Sequence, residues 1–382
     1  MKAKPIALYI HMPWCDRKCP YCDFNSYALR HRKIDTDVYV DALIRELHER
    51  YALFQDRILS AIFIGGGTPS LIPVDAYKRL FKAIGDCFDL PSALEVTMEM
   101  NPESVEPTYL QALKDTPVTR ISLGVQSFND GMLKKLGRIH SAEKAHDAIK
   151  AILARGYQLN VDLMYALPAQ TLDQAVADLN SACMYPINHL SWYQLTLEPQ
   201  TAFYKRPPAH IPNEDAVIAM ETAGHTIIHQ HGFIRYEISA YAKAGFECMH
   251  NTNYWTFGDY IGIGAGAHGK YLDQGQTYRS FNINKPELYV NHPHGTWIMN
   301  EDDQTIFEYF LNRMRLYAPF TLAEFEAQTG RDRQVVMPIL NQLVKQGLLE
   351  HQDPMWQLSA LGKSFYNDVV AAFIQSDKQC AK

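Results

Sequence analysis

A basic excess is missing from this chain. Its 36 Lys and Arg are outnumbered by 42 Asp and Glu, which leaves a net charge of −6. Proteins that track a nucleic-acid backbone carry the opposite bias, so no nucleic-acid partner is expected. Long apolar runs are missing too: none approaches the ~18–20 residues of a membrane span. The opening MKAKPIALYIHMPWC has a short apolar stretch but no small-residue cleavage site. It reads as a first strand rather than a leader, and the expected location is cytoplasmic. In that reducing compartment seven cysteines, an odd number, do not make a disulfide framework. Cys87, Cys183, Cys248 and Cys380 stand singly, and the first two read as buried small hydrophobes. Repeats and low-complexity tracts are also absent. What remains is an ordinary globular composition, 47% hydrophobic and 20% charged over 382 residues. That length suits roughly two or three domains.

The first two thirds alternate between two periods. Ala7 to His11, SAIFIGGGTP, EVTMEMNP, RISLGVQSF, LNVDLMYALP and HLSWYQLT are short apolar strands. Between them lie helical spacings: Asp37 to Phe54 with Thr36 as N-cap, Val74 to Phe88, Pro107 to Lys114, Ala142 to Arg155 and Leu172 to Met184. The helix from Glu214 to His231 follows the sixth strand. About six strand–helix alternations argue for an α/β fold with a parallel sheet and helices outside. A closed barrel, a partial barrel and an open doubly wound sheet all fit that alternation.

Side-chain parity narrows the choice. Val96, Met98 and Met100 face one way, and Glu95, Thr97 and Glu99 the other. Ile121, Leu123 and Val125 oppose Ser122, Gly124 and Gln126, and Val161 and Leu163 oppose Asn160 and Asp162. Each polar row ends in Glu99, Gln126 or Asp162 near the strand's carboxyl end. A polar lumen with functional groups at its C-terminal rim is the layout of a barrel-type active site.

Residues 234–300 change character. Glycine, histidine and aromatics are dense, and no period persists apart from a strand expected around Tyr236 to Ser239. From Asp303 the helical period returns. Three helices, a turn at Pro354, a short strand and a last helix resemble a small winged-helix-like domain. Its second long helix carries few cations, Arg333 and Lys345, so DNA reading is not expected.

One short stretch, CDRKCPYCDF, carries Cys15, Cys19 and Cys22 in the spacing C-x3-C-x2-C. Half a zinc site, a redox pair with a spare thiol, and an iron–sulfur ligand set are the chemical readings. Structural zinc wants four ligands, and His11 alternates away from the loop. A C-x-x-C redox pair at a helix start leaves Cys15 unexplained. Three thiolates on a four-iron cubane leave one iron free to bind a small molecule.

This loop resembles that of the radical S-adenosylmethionine (SAM) superfamily. The resemblance implies a partial (β/α)6 TIM-like barrel, a [4Fe–4S] cluster on Cys15, Cys19 and Cys22, and SAM chelated to the unique iron. Gly65-Gly66-Gly67-Thr68-Pro69 resembles the superfamily's glycine motif, with Gly66, Gly67 and Thr68 near the SAM amino group. Glu99, Gln126, Arg138 and Asp162 fall where the superfamily contacts SAM, and Tyr9 and Tyr21 match positions that touch it.

NPESV, SLGVQSF, LGRIH and VDLMYALPAQT resemble the oxygen-independent coproporphyrinogen III oxidase (dehydrogenase) family, from about residue 5 to 375. Two features depart from it. Phe24 stands where those enzymes carry a further cysteine, and only eight residues precede Tyr9, where they carry an N-terminal extension. HNTNYW at 250–255 instead resembles the signature of the HemW-type heme chaperones. That resemblance implies heme bound by His250, Asn251, Tyr254 and Trp255 and delivered to an acceptor hemoprotein. His250 suits an axial ligand and the two aromatics suit stacking on a porphyrin. His268 is a further candidate ligand, and Cys248 a candidate for a thioether. An electron donor such as a flavodoxin or ferredoxin, and transient contact with membrane-bound heme proteins, follow as expected partners. Alternatives are the dehydrogenase itself and a heme or cluster sensor. The expected division is 1–235 for the barrel, 236–300 for a heme-binding connecting segment, and 301–382 for the C-terminal, mainly α domain.

Overall fold

The computed structural model describes residues 4–29 and 35–374; Cys380 and the outermost ends of the first and last expected segments lie outside them. Six strands occur where the sequence places them: β1 Lys4–Met12, β2 Arg57–Gly66, β3 Glu95–Met100, β4 Arg120–Gln126, β5 Gln158–Tyr165 and β6 His189–Gln194. Neighbours pair in parallel, in chain order. The helices between them are α1 Thr36–Tyr51, α2 Val74–Cys87, α3 Pro107–Leu113, α4 Asp130–Lys135, α5 Ala142–Leu153 and α6 Leu172–Cys183, and α7 Glu214–Gln230 follows the sixth strand. Their apolar stripes cover the outer face of the sheet. Val96, Ile121, Leu123, Val161 and Leu163 are fully buried in one core with Leu80, Ile84, Ile149 and Leu179 of the helices. Each such side chain contributes roughly 1.5–3 kcal/mol by leaving water. The N-cap of α1 is Asp35, whose carboxylate accepts from Val38 N; it stands one residue before the expected Thr36.

Among the described residues the sheet does not close and runs on at both edges to 12 strands. Beyond β6 lie β7 Ile234–Arg235 and β8 Ala240–Ala242, with β8 antiparallel to β6. The strand expected at Tyr236 to Ser239 is instead the turn of this hairpin. Tyr236 N donates to Ala240 O, and the Glu237 carboxylate accepts from Ser239 N. Beyond β1 lie β9 Tyr260–Ile263, β10 His268–Asp273, β11 Gln276–Phe281 and β12 Thr296–Met299. Of these, β9 pairs in parallel with β1, a seventh parallel strand. The segment that reads as irregular thus supplies much of the sheet. Its strands are short and glycine-flanked, and pairing with distant strands holds them rather than local period.

The C-terminal domain has its own core, built on Tyr309, Phe310, Phe325, Leu340 and Trp356. Helices α9 Asp302–Arg313, α10 Leu322–Thr329 and α11 Met337–Lys345 precede a hairpin of Leu349–Gln352 and Met355–Leu358, turned at Asp353-Pro354. Phe320–Thr321 adds a third strand. This is the winged-helix-like arrangement, and two short helices, Ala360–Ser364 and Tyr366–Ala371, end it.

Candidate functional site

A cavity of about 490 Å³ fills the lumen of the partial barrel. Its mouth is the cysteine loop. After β1 the chain pairs Trp14–Cys15 with Tyr27–Ala28, and this small ribbon pins both ends of the loop. Between them Cys22 N donates to Cys19 O at 3.1 Å, and Lys18 Nζ donates to Phe24 O and Ser26 O at 2.8 and 3.2 Å. Cys15, Cys19 and Cys22 all line the cavity. Burial pushes the Cys15 thiol up to about 11 and also raises Cys22. A positively charged metal centre reverses that preference and draws out the thiolates. Among the described residues no three His, Cys, Asp or Glu side chains gather closely enough to hold one metal ion.

The glycine turn after β2 is fastened beneath this loop. Gly67 N donates to Met12 O at 2.7 Å and Thr68 N to Trp14 O at 2.6 Å. A Cβ on Gly67 would lie 2.2 Å from the Trp14 carbonyl oxygen, so only glycine lets the two backbones meet. Gly66, at φ +114°, donates its N–H to Glu99 Oε2 at 2.9 Å. Burial pushes the Glu99 carboxyl up to about 8; the Asp162 charge adds to this and the Gly66 N–H opposes it.

The rest of the wall comes from alternating positions on β3 to β6. Glu99, Gln126 and Asp162 line it, as do Tyr21, Gly66, Gly67, Thr68 and Arg138. Gln126 sits at a bulge with φ +70° and accepts from Tyr193 Oη at 2.9 Å. Arg138 spans loop and wall: it donates to Gly124 O at 2.7 Å and Asn101 Oδ1 at 2.5 Å, and its Nη1 lies 3.7 Å from Cys19 Sγ. Among the described residues its Nε is buried without a partner. Asp162 accepts from Ser122 Oγ at 2.9 Å and Asn160 Nδ2 at 2.8 Å. Asn160 Oδ1 meets His189 Nδ1 at 2.6 Å, and His189 Nε2 meets Tyr236 Oη at 2.9 Å. Burial holds His189 far below the usual imidazole range. It is therefore neutral, donating from Nδ1 to the Asn160 carbonyl and accepting the Tyr236 hydroxyl at Nε2. His189, Ser191, Tyr193, Asn101 and Arg120 line the cavity and were not picked out from sequence. The parity argument extended to HLSWYQ finds the first three.

A second group gathers behind this wall. The helix α8, Met249–Trp255, carries the HNTNYW residues. Asn251 and Cys248 reach the cavity; His250, Tyr254 and Trp255 do not line it. Nor does Tyr9, which bonds His11 Nδ1 at 2.9 Å and lies against His250 with ring centroids 6.1 Å apart. His250 is buried beside Phe63, at 5.1 Å, and its Nδ1 has no partner among the described residues. Burial lowers its pKa to about 4, so the imidazole is neutral. Tyr254 Oη meets Tyr260 Oη at 2.8 Å. The Arg315 guanidinium lies 4.2 Å over the half-buried Trp255 ring, whose Nε1 is unpartnered. The Cys248 thiol, pushed up to about 12 by burial, points to Glu95 Oε1 at 3.4 Å. His268 is exposed at the start of β10, outside the cavity wall.

Residues 9–182 match the radical SAM superfamily, and residues 301–365 match the HemN C-terminal domain. The heme chaperone HemW of Escherichia coli (strain K12) is 42% identical over 380 residues, which cover 98% of this chain and 99% of that one. HemW of Bacillus subtilis (strain 168) is 34% identical over 379 residues, 96% of this chain and 98% of its own. The solved coproporphyrinogen III oxidase HemN from Escherichia coli superposes with a TM-score of 0.82 at 21% identity, covering 98% of this chain and 91% of that one; it shares the fold. With such identity sustained from end to end, the chain belongs to the HemW family of the radical SAM superfamily.

Proposed function

We propose that this protein is a heme chaperone that binds a [4Fe–4S] cluster, SAM and heme and passes heme to acceptor hemoproteins. The observation that carries the reading is the whole-chain likeness to the HemW chaperones. The donor set suits each group. Cys15, Cys19 and Cys22 all line one cavity, and three thiols suit a cubane with one iron left for SAM. When bound, this pair supplies a low-potential electron beside a sulfonium. The chain's part is to hold and orient. Glu99, Gln126 and Asp162 offer oxygens to hydroxyl or amino hydrogens, with Thr68 and the glycine backbone alongside. Arg138, with its unpartnered Nε, offers a cation to a carboxylate. Tyr21 packs at the mouth. Tyr9, behind the wall, acts through His11 and His250.

Heme would be held by the neutral ring of His250, with Asn251, Tyr254 and Trp255 of the same helix beside it. The partnerless Nδ1 of His250 and the partnerless Nε1 of Trp255 are the buried polar atoms that a ligand or a small shift of α8 would satisfy. The working units are 1–235 for cluster and SAM, 236–300 for heme and 301–382 for contact with partners. The protein acts in the cytoplasm with a flavodoxin or ferredoxin as electron donor, and it meets membrane-bound heme proteins transiently. Phe24, 56% exposed beside Arg17 and Lys18, gives such a donor an approach to the loop.

The test is anaerobic reconstitution with iron, sulfide, SAM and heme, followed by mixing with an apo-hemoprotein. Transfer of heme with return of the acceptor's activity supports the chaperone. A complex that never releases heme supports a sensor. Vinyl product from coproporphyrinogen III at useful turnover overturns the reading in favour of the dehydrogenase.

A further inference from the structure

We infer that Glu95 is a positioning residue for heme: it fixes the helix that presents His250. This rests on the proposed role of His250. Glu95 opens β3, 154 residues before Met249, and was read from sequence only as one member of a polar row. Its carboxylate is not itself part of the cavity wall. Oε1 accepts from Met249 N at 2.9 Å, His250 N at 3.4 Å and Cys248 Sγ at 3.4 Å. Oε2 meets Arg120 Nη1 at 3.4 Å, and Arg120 also donates to Phe246 O at 3.3 Å. Both side chains are withdrawn from water, 10% and 3% exposed.

The arrangement answers a specific need. The first N–H groups of a helix have no partner inside it, and α8 has no capping side chain of its own. Cys248 stands at its N-cap, a thiol in place of the usual hydroxyl or carboxylate. Glu95 supplies the missing acceptor from another strand, and its negative charge meets the positive end of the helix. Tyr236 Oη accepts from a further donor, Cys248 N, at 3.4 Å. The helix has only seven residues, too short to hold itself. The direction of His250 is therefore set where Glu95 and Arg120 grip the preceding turn.

The test is an anaerobic titration with hemin of the cluster-loaded full-length protein, read by the Soret band and by electron paramagnetic resonance of the ferric iron. Glu95→Gln keeps the volume and removes the charge. It is expected to weaken hemin binding about threefold to tenfold and to shift the ligation spectrum, with cluster absorbance unchanged. In Glu95→Gln/His250→Ala the loss should be no greater than in His250→Ala alone, because both changes break one arrangement. Should Glu95→Gln not fold, Glu95→Leu/Arg120→Met removes both charges together, and the same loss is expected. Parent-like affinity and spectrum in the Glu95 variants, while His250→Ala loses hemin, overturns the positioning role and leaves the proposed function standing. Losses that multiply in the combined variant also overturn it, since Glu95 would then act apart from His250. Unchanged hemin binding in His250→Ala refutes the ligand assignment itself, and with it this inference.

Discussion

The cysteine loop and helix α8 are both short segments proposed to hold iron, and they are built in opposite ways. The loop's three thiols lie within eight residues. Its ends are pinned by a local two-stranded ribbon, and its interior is bridged by Lys18 to carbonyls six and eight residues away. Its neighbour Phe24 is exposed. Helix α8 buries His250 and is fixed by Glu95 and Tyr236, with Arg120 gripping the turn before it; all three arrive from other strands and turns. A loop closed on itself can stay near the surface and admit a small molecule. A helix held from a distance moves only if its anchors move. Ligand geometry at the first is local; at the second it belongs to the whole barrel.

Four changes break or sharpen this contrast. The largest effect is expected for Cys19→Ser. Visible cluster absorbance should be lost, because two thiolates rarely hold a cubane, while hemin binding at α8 persists. Simultaneous loss of both would mean that the two segments are not independent. Gly67→Ala places a methyl 2.2 Å from the Trp14 carbonyl oxygen. Since backbone must shift, we expect roughly 3 kcal/mol of lost stability, seen as a lower unfolding midpoint and poor cluster loading. A midpoint within a degree of the parent would refute the close approach.

His250→Ala should weaken hemin binding about hundredfold and leave the cluster spectrum untouched. The smallest change in ligand affinity is expected from pH. Glu99 titrates near 8 in the folded protein against an ordinary value of 4.5. The folded state therefore holds this proton more tightly than the unfolded chain. Stability in the absence of SAM should fall as pH rises from 4.5 towards 8, and the loss is complete above that value. If the ionised carboxylate accepts hydrogens from SAM, SAM affinity rises about tenfold between pH 7 and pH 9. Glu99→Gln should flatten that rise; an equal slope in the variant would assign it to another group.

Much of this was legible before the fold. Cysteine spacing, the glycine turn and the strand parity that set Glu99, Gln126 and Asp162 on one wall are all short-range patterns. Boundaries were less so: the cap of α1 fell to Asp35 because its carboxylate reaches Val38 N. His189 was readable by parity and passed over. Tyr9 was not, because its strand leads it behind the wall to His11 and His250 rather than into the lumen. Least legible was the stretch from 234 to 300, whose strands of two to six residues are too short for a period to emerge.

By itself the sequence determined the alternating α/β core, the three-thiol loop and the family signatures, since these rest on neighbours along the chain, where covalent geometry fixes which side chains share a face. Only the tertiary structure decided that the barrel stays open, that a seventh parallel strand joins β1, and that Glu95 reaches α8. Those pairings join residues more than a hundred positions apart, and such a contact leaves no periodic trace in either segment.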